Sequence, residues 1–340
     1  MQSSRIGILA AIVALMVTSC DKNVTVFTEI SRDGTCTRQV STGDDCIMYD
    51  DLWEEVAAQD TADQKTITLR RSFSSVEEMA ASPILSVYGE PLRSEASLQK
   101  RFKWFYTDYT FTETFAGWGG HFDIPITKYV SQDEASFMWT GYPNLVEGMT
   151  GIDMVDKLDK IQESLEYWEY SIVFNCYFKL ISNHYEDITN PPVDRQVFTS
   201  LSDSIVFYGY WNGYDEFSEI KKLLKDYFKS DAYNVFFSSK KYDNDDVKGE
   251  YKTEFESYFG PVSEIILLKA PYCLKMPGRV TDAGRGILAD GVIQYCFEGG
   301  FLVPGDYTIT ASSRVANVWT FILSSAVIIL ALASLLYRKK

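Results

Sequence analysis

The sequence predicts an α+β protein: an antiparallel β-rich, membrane-proximal domain interrupted by a helical insertion, then one C-terminal transmembrane helix. Three observations carry this. Apolar residues alternate with period two in residues 24–40 and 261–312, they recur at spacings of three and four between 150 and 260, and residues 315–337 form an uncharged, mostly apolar run. Period two is the mark of a strand with one buried face, and spacings of three and four mark one face of a helix. A run of that length without charge is the pattern of a membrane-crossing helix.

In chain order, Arg5 precedes the apolar run Ile6 to Val17, which is short for a spanning helix and has the layout of an export signal. It closes on Val17-Thr18-Ser19-Cys20, which resembles a bacterial lipobox, so residues 1–19 read as a lipoprotein-type signal peptide and Cys20 as the site of lipid attachment, with palmitate among the acyl chains expected there. Residues 20–149 form an N-terminal β-rich region. Val24, Val26, Thr28 and Ile30 alternate, Asp33-Gly34 suits a tight turn, and Thr35 to Val40 alternates again, which predicts a hairpin. Asp51 to Glu55 predicts a short helix, Lys65 to Arg71 a strand, and Ser75 to Glu78 a capping box.

Leu98 to Phe115 predicts one long strand with aromatics on both faces: Phe102, Trp104 and Tyr106 on one, Phe105, Tyr109, Phe111 and Phe115 on the other. Phe102, Trp104 and Tyr106 are therefore candidate contacts for an apolar ligand. In the helical block, residues 150–260, Ile152, Val155, Leu158, Ile161, Leu165, Trp168 and Ile172 fall on one helix stripe, and Ile172 to Ile181 is nearly all apolar. Asn190-Pro191-Pro192 is a break before a helix near Asp194 to Tyr208. Phe217, Ile220, Leu224 and Phe228 stripe another helix, and a weaker helical segment, Val247 to Tyr258, stops at Gly260-Pro261. Residues 261–314 return to short strands, at Glu264 to Lys269, Tyr272 to Val280, Ile287 to Phe297 with an Asp290-Gly291 turn, and Tyr307 to Ala311. This C-terminal β-region is expected to complete the same sheet as the first one.

The final strand leads into residues 315–337, the expected transmembrane helix, with Trp319 and Tyr337 placed as interfacial aromatics. The basic residues 338–340 are expected on the cytoplasmic side. The predicted location is thus the bacterial inner membrane, single-pass, with the bulk of the chain outside the cytoplasm.

Met276-Pro277-Gly278-Arg279-Val280, Asp290-Gly291-Val292-Ile293-Gln294-Tyr295 and Thr310-Ala311-Ser312-Ser313-Arg314, followed by an apolar helix and preceded far upstream by a lipobox, resemble the LppM-type envelope lipoproteins. The resemblance covers residues 276–340, departs from the family pattern at Tyr295, where tryptophan is expected, and has no counterpart for the helical block. It implies a small antiparallel β-structure, lipid-binding in character and without catalytic residues.

Composition narrows the function. Setting aside Arg5, Arg338, Lys339 and Lys340 leaves 28 of the 32 basic residues against 47 acidic ones, a balance that excludes nucleic acid as a partner and disfavours adhesion of the domain to anionic lipid. With 46% apolar and 15% aromatic residues the chain can bury a large core. His121 and His184 are the only histidines, and neither has a second histidine or a cysteine at metal-ligand spacing, so no metal or cofactor is expected. Asp153, Asp156 and Asp159 line up on a helix as a solvated acidic face. Cys36 with Cys46, and Cys273 with Cys296, are candidate disulfides in an oxidising compartment, whereas Cys176 reads as a buried thiol. The function predicted is a non-catalytic envelope scaffold that binds an unidentified protein partner and the membrane; the alternative is binding or sensing of a lipid or another apolar ligand.

Overall fold

The computed structural model describes residues 24–338, apart from 44–46, 61–64, 216–218, 240 and 242–248. The signal segment, Cys20, Cys46, Phe217, Lys339 and Lys340 lie outside the described residues. The α+β class holds: antiparallel and mixed sheets stand beside a helical block. The chain divides into two compact units, one β-rich (residues 22–116, 268–298 and 306–340) and one helical (117–267 with 299–305, to which residues 1–21 are also assigned).

In the β-rich unit, β1 (Val24–Ile30) and β2 (Cys36–Thr42) form a hairpin in which Ile30 pairs with Cys36. The turn is fixed locally, because Asp33 Oδ1 accepts from the Thr35 N–H at 3.0 Å. β3 (Glu54–Asp60) and β4 (Lys65–Phe73) follow, β4 pairing with both β2 and β3. Residues 51–53 are a turn leading into β3, not the expected short helix. Trp53 is buried there against Phe73, ring centroids 6.0 Å apart, so tertiary packing overrides the local helix preference. α1 (Val76–Ala80) starts at Ser75, whose hydroxyl accepts from the Glu78 N–H at 3.2 Å. A two-residue ribbon joins β5 (Ser86–Val87) to β6 (Glu90–Pro91).

The expected long strand at 98–115 is instead a hairpin, β7 (Ser94–Lys103) and β8 (Tyr106–Phe115), turning at Trp104-Phe105 with Lys103 opposite Tyr106. Ser94 pairs with Phe115 and Leu98 with Phe111, so even-numbered residues of β7 share a face with odd-numbered residues of β8. The change of parity across the turn is what gave the sequence its two aromatic faces.

β9 (Tyr272–Lys275), β10 (Arg279–Asp282), β11 (Ile287–Ala289), β12 (Val292–Tyr295) and β13 (Tyr307–Ala316) complete two sheets. The larger has the order β11-β12-β9-β1-β2-β4-β3 and the smaller β10-β13-β8-β7, so each mixes strands from both ends of the chain. β1 and β9 run parallel, which makes the larger sheet mixed. Asp290 (φ 50°) and Gly291 (φ 80°) provide the left-handed residues of the β11–β12 turn. Alternation is clean on the buried faces: Val24, Val26, Thr28 and Ile30 of β1, Tyr109, Phe111, Glu113 and Phe115 of β8, and Tyr307, Ile309, Ala311, Ser313 and Val315 of β13 all point inward.

The helical unit opens with α2 (Gln132–Thr140), whose Ser131 and Glu134 form a reciprocal capping box, and centres on the 32-residue α3 (Ile152–Asn183). The first two turns of α3 are exposed, whereas Trp168 to Ile181 is buried on almost every side. α4 (Arg195–Ser200), α5 (Ser202–Trp211), α6 (Ile220–Phe228) and α7 (Ala232–Phe237) pack around it, with α8 (Glu250–Leu267). The core is largely aromatic: Phe198 lies 5.4 Å from both Phe178 and Tyr233, and Tyr177 stacks on Phe255 at 4.4 Å. α8 runs through Gly260-Pro261 to Leu267, replacing both the expected stop and the expected strand at 264–269. Side-chain hydroxyls accommodate the break in the ladder, Ser257 donating to the Glu254 carbonyl at 2.6 Å and Ser263 to the Gly260 carbonyl at 3.1 Å.

α9 (Val318–Arg338) ends the described chain. Among the described residues no helix is long and apolar enough to cross a membrane, which overturns the expected transmembrane helix and the single-pass inner-membrane location built on it. The uncharged run is shared between two structures. Val315 and Ala316 extend β13 and pair with Thr107 and Tyr106, and Asn317 joins the helix start to the hairpin turn, its N–H donating to the Phe105 carbonyl at 2.9 Å.

Candidate functional site

Three polar or aromatic constellations stand out, and each is built by a different part of the fold. The first lies in the β-rich unit, where inward positions of the two sheets meet. Arg38 of β2 donates through Nη2 to Glu113 Oε2 of β8 at 2.7 Å and to the Tyr272 hydroxyl of β9 at 2.9 Å, and through Nε to Thr28 Oγ1 at 3.1 Å. Tyr272 donates to the same Glu113 oxygen at 2.6 Å, and Ser94 to Oε1 at 2.9 Å. Glu113 is fully buried and Arg38 nearly so. Burial pushes the Tyr272 phenol well above its usual range, and the Glu113 charge beside it adds to that shift. Burial opposes the Arg38 charge, but Glu113 and Tyr272 outweigh it and hold the guanidinium protonated. Both Glu113 oxygens are already engaged by protein donors, so the cluster functions as a joint between sheets.

The second constellation sits where α3 ends. His184, the C-cap of α3, contacts Glu254 Oε2 of α8 through Nε2 at 2.5 Å, and its ring lies 4.3 Å from that of Tyr251. Tyr258 donates to Glu254 Oε1 at 2.5 Å and Asn183 Nδ2 to the same oxygen at 3.2 Å. Asp187 accepts from Tyr251 and, at 3.1 Å, from Lys241. Burial raises the Glu254 carboxyl, but bonds from Tyr258, His184 and Asn183 hold it below the ordinary glutamate range; bonds from Tyr251 and Lys241 lower Asp187. Every group in the cluster is matched by another, which makes it a clasp between α3 and α8.

The third is aromatic. Phe102 stacks on Trp319 of α9 at 6.4 Å with planes 13° apart, Trp104 meets Trp319 edge-on at 5.8 Å, and Phe105 packs on Phe321 at 4.8 Å. Trp104 Nε1 donates to Ser324 Oγ at 2.9 Å. Of the expected ligand contacts, Phe102 and Trp104 thus join one cluster at the hairpin tip, half exposed, while Tyr106 stands apart beneath Arg314, whose guanidinium carbon is 3.8 Å from its ring centroid. Sequence reasoning did not connect Phe105, Trp319 and Phe321 with this hairpin. The signal was the parity change at Trp104-Phe105, which marks a turn.

The remaining sequence-singled residues are spread out. His121 stacks on Trp118 at 3.8 Å, its Nδ1 3.2 Å from the Trp118 carbonyl oxygen. Asp153 and Asp156 line an open groove of about 420 Å³ with Glu134, Lys157 and Lys160, while Asp159 is exposed. Cys36, Cys176, Cys273 and Cys296 are free thiols. No Cys273–Cys296 bridge is present, and no Cys36–Cys46 bridge is described, since Cys46 lies outside the described residues. Burial pushes the Cys36 thiol up to about 11 and Cys176 up to about 12, opposite to what a nucleophilic thiol needs. Among the described residues no group of three or more His, Cys, Asp or Glu side chains is arranged to hold a metal ion.

In the helical unit, α5 presents Phe207 and Trp211 one turn apart, 58% and 49% exposed, their rings 6.1 Å from each other, with Tyr210 edge-on to Trp211 at 5.5 Å. No sequence-family model matches the chain, and neither the curated proteins nor the solved structures provide a match. The LppM-type resemblance therefore rests on the motifs quoted for it.

Proposed function

We propose that this protein is a non-catalytic scaffold of the bacterial cell envelope that holds another protein, with lipid at Cys20 as a tether. The observation that supports this reading is the exposed Phe207–Trp211 pair on α5, backed by Tyr210. Large aromatics offer wide contact area at low entropic cost, and such residues dominate the energy of protein–protein interfaces. The acidic balance of the chain favours a partner whose apolar pocket has a basic rim.

Crosslinking in cells followed by purification through a detergent exchange should retain a stoichiometric protein partner. The double variant Phe207→Ala/Trp211→Ala should weaken that association at least about tenfold, since hot-spot truncations cost about 2 kcal/mol or more each. Both side chains are half exposed, so the folding stability of the variant should stay within about 1 kcal/mol of the parent. A partner retained unchanged by the double variant, or none captured under any crosslinking chemistry, sinks the proposal. The tether is tested separately: Cys20→Ala should abolish incorporation of labelled acyl chains, and persistent labelling would refute it.

A further inference from the structure

We propose that the tip of the β7–β8 hairpin and the first turns of α9 together form a lipid-contact surface, an aromatic collar that rests at the interface of a zwitterionic lipid layer. Trp104 and Phe105 occupy the two turn residues, positions where glycine, asparagine or aspartate are usual, and they are 48% and 42% exposed. Half-exposed aromatics at a turn are unfavourable in water, yet here they are held firmly in place. Asn317 Nδ2 donates to the Lys103 carbonyl at 2.8 Å, Thr107 Oγ1 donates to Asn317 Oδ1 at 3.0 Å, and Thr320 Oγ1 to the Asn317 carbonyl at 2.7 Å. With the Trp104–Ser324 bond, these fix the hairpin tip against the helix start as one rigid piece.

The chemistry of the collar selects its occupant. Tryptophan has an apolar body and a polar edge, which suits a boundary between hydrocarbon and water. The nearest charges cancel locally: Asp108 lies 2.7 Å from Lys103 Nζ and 2.7 Å from Arg314 Nε. The patch therefore presents neutral aromatics backed by paired charge, which complements a zwitterionic head-group layer more than an anionic one. Beyond the collar, Val327, Ile328, Ile329 and Leu330 are all exposed at consecutive positions of α9. At about 100° per residue four consecutive side chains point around most of the helix. A groove on a protein covers one side of a helix; an occupant that meets all sides at once has to surround it, as lipid chains do. The inference concerns contact with lipid and not passage across a membrane.

The test uses the full chain carrying Cys20→Ala, so that no acyl group contributes, and phosphatidylcholine vesicles, with and without lipids brominated along their chains. The protein should co-sediment with vesicles, brominated lipid should quench its tryptophan emission, and raising the salt concentration should leave binding unchanged. Trp104→Ala/Phe105→Ala, which keeps α9 intact, should weaken vesicle partition about tenfold and remove most of the quenching that Trp104 contributes. Phe207→Ala/Trp211→Ala, in the helical unit, should bind vesicles like the parent, and far-ultraviolet dichroism should show both variants folded. Unchanged partition in Trp104→Ala/Phe105→Ala would show that α9 alone carries any lipid contact and would overturn the collar. Failure of the parent to bind, or binding that requires anionic lipid and is lost in salt, would overturn it as well.

Discussion

The two units solve the burial of polar chemistry in opposite ways. The β-rich unit places an ion pair in its interior: Arg38 and Glu113 meet between sheets, and every hydrogen-bonding group around them is used. The helical unit keeps its interior apolar and aromatic, around Phe174, Phe198, Tyr233 and Phe237, and moves its charged clasp, His184, Asp187, Lys241 and Glu254, to the partly exposed end of α3. The difference follows from geometry. Two sheets meeting face to face can slip by a strand spacing or a two-residue register without losing much apolar contact. A single buried charge pair fixes which positions face each other. Ridges and grooves of bulky side chains already specify how helices meet, so helices gain less from such a device.

The largest effect expected from this contrast is at Glu113. Glu113→Ala leaves Arg38 charged and buried without its carboxylate, and should cost about 3–5 kcal/mol of stability in urea denaturation. Replacing the whole cluster with apolar residues of similar volume, Arg38→Met/Glu113→Leu/Tyr272→Phe, should recover most of that loss. If register is what the pair provides, the recovered variant should show broadened amide resonances in the β-rich unit and normal ones in the helical unit. A loss under 1 kcal/mol for Glu113→Ala would mean that the charge is not desolvated, and the contrast between the units would fall.

Much of the architecture was legible because side chains obey the period of their element. Val24 to Ile30 with Asp33-Gly34 and Thr35 to Val40 reads as the hairpin it is, and Ile161, Trp168 and Ile172 read as one helix face. The misread segments share one cause, a local signal outweighed by distant contacts. Pro261 ends most helices, but here Ser257 and Ser263 relieve the broken ladder. Trp104-Phe105 carries no turn residue, so only the parity change around it reports the reversal. The uncharged run after Arg314 is continuous in sequence, yet its first residues are claimed by β13 through pairing with β8, two hundred residues away. The Arg38–Glu113–Tyr272 joint left a trace too: Arg38 sits between Cys36 and Val40, at an inward position of its strand. Its partners, 75 and 234 residues further on, are set by strand order, which periodicity does not encode.

The smallest expected effect concerns acid. Glu254 and Asp187 have folded-state carboxyls lowered below their ordinary values of 4.5 and 3.8, so each is worth more to the folded chain when ionised. Their contribution is complete above those values and is lost as pH falls through the lowered ones. In the β-rich unit, hydrogen bonds from Arg314 and Lys103 hold Asp108 lower still, at about 2. Acid titration should therefore loosen the clasp at the end of α3 before it loosens the β8–β13 ladder. Hydrogen exchange followed by mass spectrometry, corrected for the intrinsic pH dependence of exchange, should show peptides covering 183–187 and 250–258 losing protection as pH falls below about 4. Peptides covering 106–110 and 312–316 should keep theirs over the same interval. Simultaneous loss in both would mean that a global transition, and not the local carboxylates, governs acid sensitivity, and the distinction between an interior joint and a surface clasp would lose its thermodynamic content.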